Sequence, residues 1–259
     1  MNTFYVLLCM CYWFLDCKAE KKDDGLGIVG GEPISITEVP FMALFRPIGK
    51  QYHCGASIVN DRFLVSAAHC DSSTPMDITV GTDTAESGGQ RYDIEKVVVH
   101  PLYKLYDYDV CVIKIKGTFR FSDRVSPIQM AQPNAEPSNG VMLLTTGFGD
   151  TMDNQNIDSL RATSNQLLGV KVPLVDREVC RKTLTMFEIT ERMLCAGGQR
   201  GKDSCKGDSG GPLVEKEGNV YKLVGIVSFG FSCATQLPGV YTNVAALRTF
   251  IDEVIQKNS

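Results

Sequence analysis

The sequence predicts an all-β protein of closed antiparallel sheets with one α-helix at its C-terminus. Short runs rich in β-branched and aromatic residues, each bounded by turn residues, form two clusters along the chain. The polar, proline-punctuated stretch 132–139 separates the clusters and predicts a crossover linker. No long amphipathic helix interrupts either cluster, and closed sheets accommodate many short strands without exposed edges.

Strand-like runs account for most of both clusters. The first cluster contains residues 41–45, 54–59, 63–66, 78–80 and 92–99 and the buried run 110–115. The second contains residues 141–147, 166–172, 211–215, 222–229 and 239–242. The apolar period then becomes helical at Val244, Leu247, Phe250, Ile251, Val254 and Ile255. This pattern predicts an amphipathic packing helix over about 243–256.

The N-terminus has the features of a secretory signal peptide over residues 1–19. Residues 4–15 are almost wholly apolar, too short a run to span a bilayer, and small residues precede a cleavage point after Ala19. No Lys or Arg precedes the apolar run, so the amine of Met1 is the only positive charge of the segment before it. The charged segment 20–27 predicts a detachable leader. We expect a secreted protein without a membrane anchor, folded as one large β unit or two smaller ones.

The charge pattern excludes two classes of partner. The formal net charge is −4, the signs are mixed, and no run of basic residues occurs. The chain therefore lacks the electrostatic footprint of a protein that binds nucleic acid or an anionic membrane.

Seven cysteines remain once the first 19 residues are removed. In an oxidising compartment six of them can form three disulfides, and one is left over. Cys111 is the natural odd residue, because it lies in an apolar run where it can act as a small buried hydrophobe. Zinc is the competing explanation, but neither Cys-x-x-Cys nor His-x-x-x-His spacing occurs. We expect no cofactor.

The stretch 205–212, Cys-Lys-Gly-Asp-Ser-Gly-Gly-Pro, places one hydroxyl, that of Ser209, among glycines. Glycines permit tight turns and leave backbone N–H groups uncovered near the serine oxygen, as a nucleophile requires. A plain surface turn is the alternative, which the flanking Cys205 and Pro212 weaken. The same letters fit the nucleophile elbow of α/β-hydrolases, but that order places the histidine after the serine, and every histidine here precedes Ser209.

A serine activated by an imidazole requires a base and an acid earlier in this chain. His69 follows small residues and precedes Cys70, which suits a base held in one orientation. His53 and His100 are the other histidines, and a lone histidine is more often structural.

Asp107 and Asp109 compete as the acid. Asp109 abuts the buried run 110–115, so it could be partly desolvated and directed at an imidazole N–H. Asp107 looks more solvated, and either residue could be a strand-edge carboxylate.

Several spaced motifs then occur together. They are Ile28-Val29-Gly30-Gly31, Ser66-Ala67-Ala68-His69-Cys70, Asp109-Val110, Gly147-Phe148-Gly149, the stretch 203–212 and Pro238-Gly239-Val240-Tyr241. In this order they resemble the trypsin-like branch of the chymotrypsin family of serine proteases, in particular its secreted, three-disulfide, invertebrate-like members. The resemblance covers residues 28–259, and several matching motifs are more specific than one.

The resemblance implies a chymotrypsin-like fold. Two six-stranded antiparallel β-barrels, over about 28–130 and 141–242, would hold the catalytic groups in the cleft between them. The implied disulfides are Cys54–Cys70, Cys180–Cys195 and Cys205–Cys233, which leaves Cys111 free.

Catalytic roles also follow from the resemblance. Ser209 would attack the scissile carbonyl, His69 would transfer the proton, and Asp109 would orient and stabilise the imidazolium. The N–H groups of Gly207 and Ser209 would form the oxyanion hole. Ser228 would support Asp109.

Substrate binding is implied at Asp203, Ser228, Gly230 and Gly239. Ser228-Phe229-Gly230 resembles the strand that pairs with the substrate backbone, and the two glycines leave room for a long side chain. A carboxylate at the floor of a closed pocket is costly to bury unpaired, and Arg or Lys of a substrate would supply the partner charge of Asp203. We expect cleavage after Arg or Lys.

Activation in this family implies cleavage before Ile28, whose new amine would pair with Asp208. Such zymogens usually carry Arg or Lys at the position of Gly27, so we expect a separate activating protease. Gly27 also keeps open the alternative of a catalytically idle homologue that serves as a binding or regulatory protein. Protein or peptide substrates, the activating protease and protein protease inhibitors are the candidate partners of an expected monomer.

Other positions also depart from the family. Phe148 and Phe229 replace two common tryptophans, and Ser232 replaces a glycine at the pocket mouth. Asp83 and Glu86 lack the acid spacing of the family's calcium loop, so we expect no metal there.

Overall fold

The structure is a computed structural model that describes residues 30–49, 53–72, 74–149, 165–199, 208–230 and 236–259. The first strand, β1, is the short segment Glu32–Pro33. The strands that follow it along the chain build two closed barrels, one after the other.

The first barrel is a closed, six-stranded antiparallel sheet. Its strands are β2 (Met42–Pro47), β3 (Cys54–Ile58), β4 (Phe63–Ser66), β5 (Met76–Val80), β6 (Gln90–Val99) and β7 (Cys111–Ile115). The hydrogen-bonded order is β2-β3-β4-β7-β6-β5, and β5 pairs with β2 to close the ring. Buried apolar side chains such as Phe45, Leu64 and Ile113 form its core.

The second barrel follows the strand β8 (Gln129–Met130). Its strands are β9 (Met142–Gly147), β10 (Leu168–Val175), β11 (Met193–Gly197), β12 (Pro212–Glu217), β13 (Val220–Phe229) and β14 (Pro238–Asn243). These pair antiparallel in the order β9-β10-β11-β14-β13-β12, and β12 pairs with β9 to close the ring. Two short strands join the same sheet, because β1 pairs with β10 and β8 lies parallel to β13.

Two helices complete the described residues. The helix α1 (Arg177–Thr183) is capped by Asp176, whose side chain accepts hydrogen bonds from the backbone N–H groups of Glu178 and Val179. The C-terminal helix α2 (Val244–Asn258) is capped by Asn243 and contacts β7, β8 and β13, so it packs on both barrels. Among the described residues, no helix has the length and apolar character needed to cross a lipid bilayer.

The two closed barrels and the C-terminal helix confirm the predicted fold class. The ends of every predicted strand run lie within three residues of the ends of an observed strand. Both ends of the predicted helix also lie within three residues of the ends of α2. The strand β11 was not predicted, because its sequence, Met-Leu-Cys-Ala-Gly, contains no β-branched or aromatic residue.

The barrels approach each other backbone to backbone at Gly55 of β3. Its N–H donates to the carbonyl of Ser209 in the second barrel at 2.7 Å. A Cβ on Gly55 would lie 2.6 Å from the Cα of Gly211. Backbone cannot move aside as a flexible side chain can, so only glycine at position 55 permits this approach.

We therefore expect Gly55→Ala to destabilise the protein by forcing the barrels apart. Overpacking of this kind costs about 1–3 kcal/mol, which lowers the Tm of a chain of this size by roughly 3–10 °C. Gly169→Ala in β10 is the matched control, because a Cβ there meets only side-chain ends, the nearest at 3.2 Å. Thermal unfolding followed by circular dichroism measures both, and equal Tm values for the two variants would contradict the prediction.

Candidate active site

His69 lies directly after β4, in the short 3₁₀ helix Ala68–Cys70. The disulfide Cys54–Cys70 ties this turn to β3, with its sulfurs 2.02 Å apart. The His69 side chain is 22 % exposed, whereas most of the residues before it in β4 are buried. The fold therefore fixes the imidazole at a barrel end while leaving it accessible.

Asp109 is buried and contacts His69 through both carboxylate oxygens. Its Oδ2 lies 2.8 Å from His69 Nδ1, and its Oδ1 accepts the backbone N–H of His69 at 3.0 Å. From the second barrel, Ser228 Oγ donates to Oδ2 at 2.5 Å and Thr242 Oγ1 donates to the Asp109 carbonyl at 2.6 Å. A carboxylate in this position accepts the Nδ1–H, which leaves the lone pair of Nε2 to take a proton.

Asp107, the competing carboxylate, binds other partners. Arg192 donates to it twice, from Nε at 2.9 Å and from Nη2 at 2.7 Å, and Thr190 Oγ1 donates at 3.0 Å. Burial acts to raise the pKa of Asp107, but the hydrogen bonds from Arg192 and Thr190 outweigh it and lower the pKa below its ordinary value. Of the two candidates, Asp109 is the one that contacts His69.

The backbone that follows Ser209 lies against the first barrel beside the strand that leads to His69. The Ser209 carbonyl accepts the Gly55 N–H, as described above. Gly210 has a φ of +77°, and a Cβ there would lie 2.2 Å from Ser66 Oγ and 2.5 Å from the Gly55 carbonyl. Ser66 is the last residue of β4 and precedes His69 by three positions. Both the left-handed backbone and the close approach require glycine at position 210.

Asp208 is fully buried beside the glycine motif that ends β9. Its Oδ1 accepts the N–H of Gly149 at 2.9 Å. A Cβ on Gly147 would lie 2.1 Å from that oxygen, and one on Gly149 would lie 2.5 Å from the carboxyl carbon. The two glycines therefore provide the space that the carboxylate occupies. Ile28, the residue expected to pair with Asp208, lies outside the described residues.

Three of the expected substrate-binding residues lie at two neighbouring strands of the second barrel: Ser228 in β13, Gly230 directly after it and Gly239 in β14. The β13–β14 register shifts between Val227 and Phe229, and this irregularity coincides with Ser228, whose hydroxyl contacts Asp109. A Cβ on Gly230 would lie 4.0 Å from the Cα of Gly239, so the backbones of these two glycines are close neighbours. The remaining expected positions, Asp203, Cys205, Gly207 and Cys233, lie outside the described residues.

Known proteins resemble this chain over most of its length. A protein-family model described as Trypsin matches residues 28–251. The chain belongs to the trypsin family.

Several arthropod relatives support the same conclusion. Trypsin 5G1 of Aedes aegypti is 37 % identical, over 88 % of this chain and 84 % of the relative. The vitellin-degrading protease of Bombyx mori is also 37 % identical, over 96 % of this chain and 94 % of its own length. Trypsin-1 of Astacus astacus is 35 % identical, over 84 % of this chain and 95 % of the relative.

The other two histidines of this trypsin-family chain pack against aromatic rings. His53 lies edge-on to Phe148, with ring centroids 6.1 Å apart. His100 stacks on Tyr108, contacts Phe250, and accepts the Leu102 N–H on Nδ1 at 3.1 Å. Burial lowers the pKa of His100, with a smaller opposing effect from a nearby carboxylate. These contacts give both residues structural roles.

Two of the three disulfides that the trypsin-family resemblance implied are confirmed, Cys54–Cys70 and Cys180–Cys195. The third, Cys205–Cys233, involves positions outside the described residues. Cys111 is a free, fully buried thiol, and its Sγ donates to the Ala67 carbonyl at 3.3 Å. Burial raises the pKa of this thiol well above its ordinary value.

One described cluster of potential metal ligands, and Asp83 of the segment compared with the calcium loop, have other partners. Cys54, His69 and Cys70 place ligand atoms within 4.8 Å of one another, but the two sulfurs are bonded to each other and are not thiolates. Asp83 accepts the Ile36 N–H at 2.6 Å and forms an ion pair with Arg124. Burial acts to raise the pKa of Asp83, but these hydrogen bonds outweigh it and lower the pKa.

Three residues near the site were not predicted from sequence. They are Thr242, Arg192 and Tyr106, whose ring centroid lies 5.9 Å from that of His69 and 4.9 Å from that of Phe229. One sequence feature could have indicated Tyr106 as a site residue, because its aromatic side chain lies three positions before Asp109. Thr242 and Arg192 lie far from Asp109 in sequence, and only the fold brings them near it.

The burial of Cys111 predicts its reactivity. A neutral, inaccessible thiol reacts slowly, so we expect no reaction with Ellman's reagent in the folded chain without residues 1–19 and about one thiol per chain after denaturation without reductant. Absorbance at the thiolate product's wavelength gives the count, and Cys111→Ala should abolish it. About three thiols after denaturation would instead contradict the expected Cys205–Cys233 bridge.

Proposed function

We propose that this protein is a secreted serine endopeptidase that cleaves after Arg or Lys, with Ser209, His69 and Asp109 as its catalytic residues. The observation that carries the proposal is the hydrogen bonding of Asp109, which joins His69 of one barrel to Ser228 of the other. The contact of Ser209 with Gly55, beside the strand that leads to His69, supports the choice of nucleophile.

The proposed reaction is acyl transfer to serine. Ser209 Oγ attacks the carbonyl carbon of the scissile bond while its proton passes to His69 Nε2, and Asp109 stabilises the resulting imidazolium. His69 then returns the proton to the leaving amine as the C–N bond breaks. Water, activated by the same imidazole, hydrolyses the acyl-enzyme and regenerates the Ser209 hydroxyl.

Two further groups complete the proposed chemistry. The N–H groups of Gly207 and Ser209 stabilise the tetrahedral oxyanion, a contribution of about 3 kcal/mol for one such donor. Asp203 pairs with the Arg or Lys side chain of the substrate, and Gly230 and Gly239 leave room for that side chain. Relatives named as trypsins support this specificity.

The proposed enzyme is made as an inactive precursor. Removal of residues 1–19 on secretion and cleavage between Gly27 and Ile28 by another protease free the Ile28 amine, which pairs with Asp208. The position of the Asp208 carboxylate supports this step, since it lies directly before Ser209 in the chain and is buried beside Gly147 and Gly149. Peptides and proteins are the proposed substrates of a monomeric enzyme, and protein protease inhibitors are its proposed regulators.

The proposal predicts specific, Ser209-dependent amidase activity. We expect the purified chain with Ile28 at its N-terminus to hydrolyse an arginyl anilide at least about 100-fold faster, in kcat/KM, than a phenylalanyl or alanyl anilide, because the pocket carboxylate pairs only with a cation. Ser209→Ala should lower kcat by about 10⁶-fold, the loss typical of removing such a nucleophile. Release of the chromogenic amine measures both.

Three outcomes would count against the proposal. Preference for the phenylalanyl substrate would rule out the role of Asp203, and equal activity in the Ser209→Ala variant would rule out the mechanism. A correctly processed chain without any activity would favour the idle homologue instead.

The activation step makes a separate prediction. A chain with the Gly27–Ile28 bond intact should show less than about one per cent of the processed activity, and processing in trans should restore it. Gly27 does not match the proposed Arg or Lys specificity, so the precursor should remain stable when mixed with its own active form. N-terminal sequencing of the active secreted form provides the check, and a mature N-terminus other than Ile28 would contradict the activation model.

A further inference from the structure

The loop between β6 and β7 carries Asp109 and has an unusual backbone. Its ends are joined by the His100 N–H, which donates to the Val110 carbonyl at 3.0 Å. Three non-glycine residues adopt positive φ, at 48° for Leu105, 67° for Tyr106 and 55° for Tyr108. Side chains with a Cβ disfavour this region, so neighbouring contacts must hold the loop in place.

Tyr108 directly precedes Asp109 and is hydrogen-bonded to the residue that follows Asp109. The Val110 N–H donates to the Tyr108 carbonyl at 2.8 Å, so this hydrogen bond spans Asp109 in a tight turn. A change in the Tyr108 backbone would therefore redirect the Asp109 carboxylate. The Tyr108 ring stacks on that of His100, with centroids 4.5 Å apart.

Arg192 contacts the same loop from the second barrel, one residue before β11. Its guanidinium carbon lies 4.3 Å from the centroid of the Tyr108 ring. It also donates two hydrogen bonds to Asp107, whose Oδ1 in turn accepts the Tyr108 N–H at 3.0 Å. Bidentate pairs of this kind fix direction as well as distance.

We propose that Arg192 is a positioning residue for Asp109, because it holds Asp107 and Tyr108 in the backbone conformation that directs the carboxylate to His69 Nδ1. The ion pair with Asp107 and the contact with Tyr108 act together as a clamp between the barrels. This inference rests on the function proposed above.

The kinetic test compares two ion pairs. The double variant Asp107→Asn/Arg192→Met removes the clamp without changing the net charge of the chain. With an arginyl anilide and active-site titration, kcat should fall about tenfold while KM changes less than about twofold, because only the proton-transfer geometry is disturbed. Arg192→Lys, which keeps the charge but not the bidentate geometry, should give an intermediate kcat.

Arg46→Met is the matched control. Arg46 pairs with Asp77 within the first barrel at 3.3 Å, and its hydrogen bonds go to Asp77, Thr79 and Ala85, which lie outside this loop. It should lower the Tm at least as much as the double variant while leaving kcat unchanged. If the double variant and Arg46→Met have the same kcat, the Asp107–Arg192 pair is merely structural and the inference is wrong.

A spectroscopic test does not require catalysis. In the Ser209→Ala background, the Nδ1–H of His69 should give a far-downfield proton resonance, because it is donated to a buried carboxylate. The resonance should broaden or shift upfield in Asp107→Asn/Arg192→Met and persist in Arg46→Met. An unchanged resonance in the double variant would overturn the inference. If the processed parent chain proves inactive, the proposed function fails while this resonance still decides the role of Arg192.

Discussion

The buried carboxylate of Asp109 is the constraint on which the rest of the site depends. A buried charge is costly unless donors surround it, and here the donors come from both barrels. His69 donates to the carboxylate from the first barrel, and the Ser228 hydroxyl donates to it from the second. The Thr242 hydroxyl, also of the second barrel, donates to the backbone carbonyl of the same residue, Asp109. The barrels cannot separate without depriving this charge of its partners, so the junction between them is also where the candidate chemistry lies.

Glycines make that junction possible at the level of the backbone. Gly55 meets Gly211 where a Cβ would overlap, and Gly147 and Gly149 leave space for the Asp208 carboxylate. Gly147, Gly149 and Gly211 belong to the motifs on which the family resemblance rests, whereas Gly55 lies outside them. At these glycines two chain segments approach each other more closely than a residue with a Cβ would allow.

Much of the fold and part of the site could be predicted from the sequence. Short runs of β-branched and aromatic residues between turns predicted the strands, and the helical period predicted α2, because both patterns are local. The strand β11 lacks such a run, since none of its five residues is β-branched or aromatic. Asp107 and Asp109 share one local context, Tyr-Asp-Tyr-Asp, so only the fold distinguishes the carboxylate that meets His69 from the one that meets Arg192.

The pairing of β1 with β10 has a consequence for the proposed activation. Glu32 lies opposite Gly169, so the chain is fixed to the second barrel four residues after Ile28. Four residues reach at most about 13 Å, so the amine freed by cleavage stays tethered close to the barrel that carries Asp208. It then behaves as an intramolecular ligand with an effective concentration of about a millimolar or more. Dilution of the enzyme would leave this equilibrium unchanged, and a free peptide with the same N-terminus would have to exceed that concentration to compete.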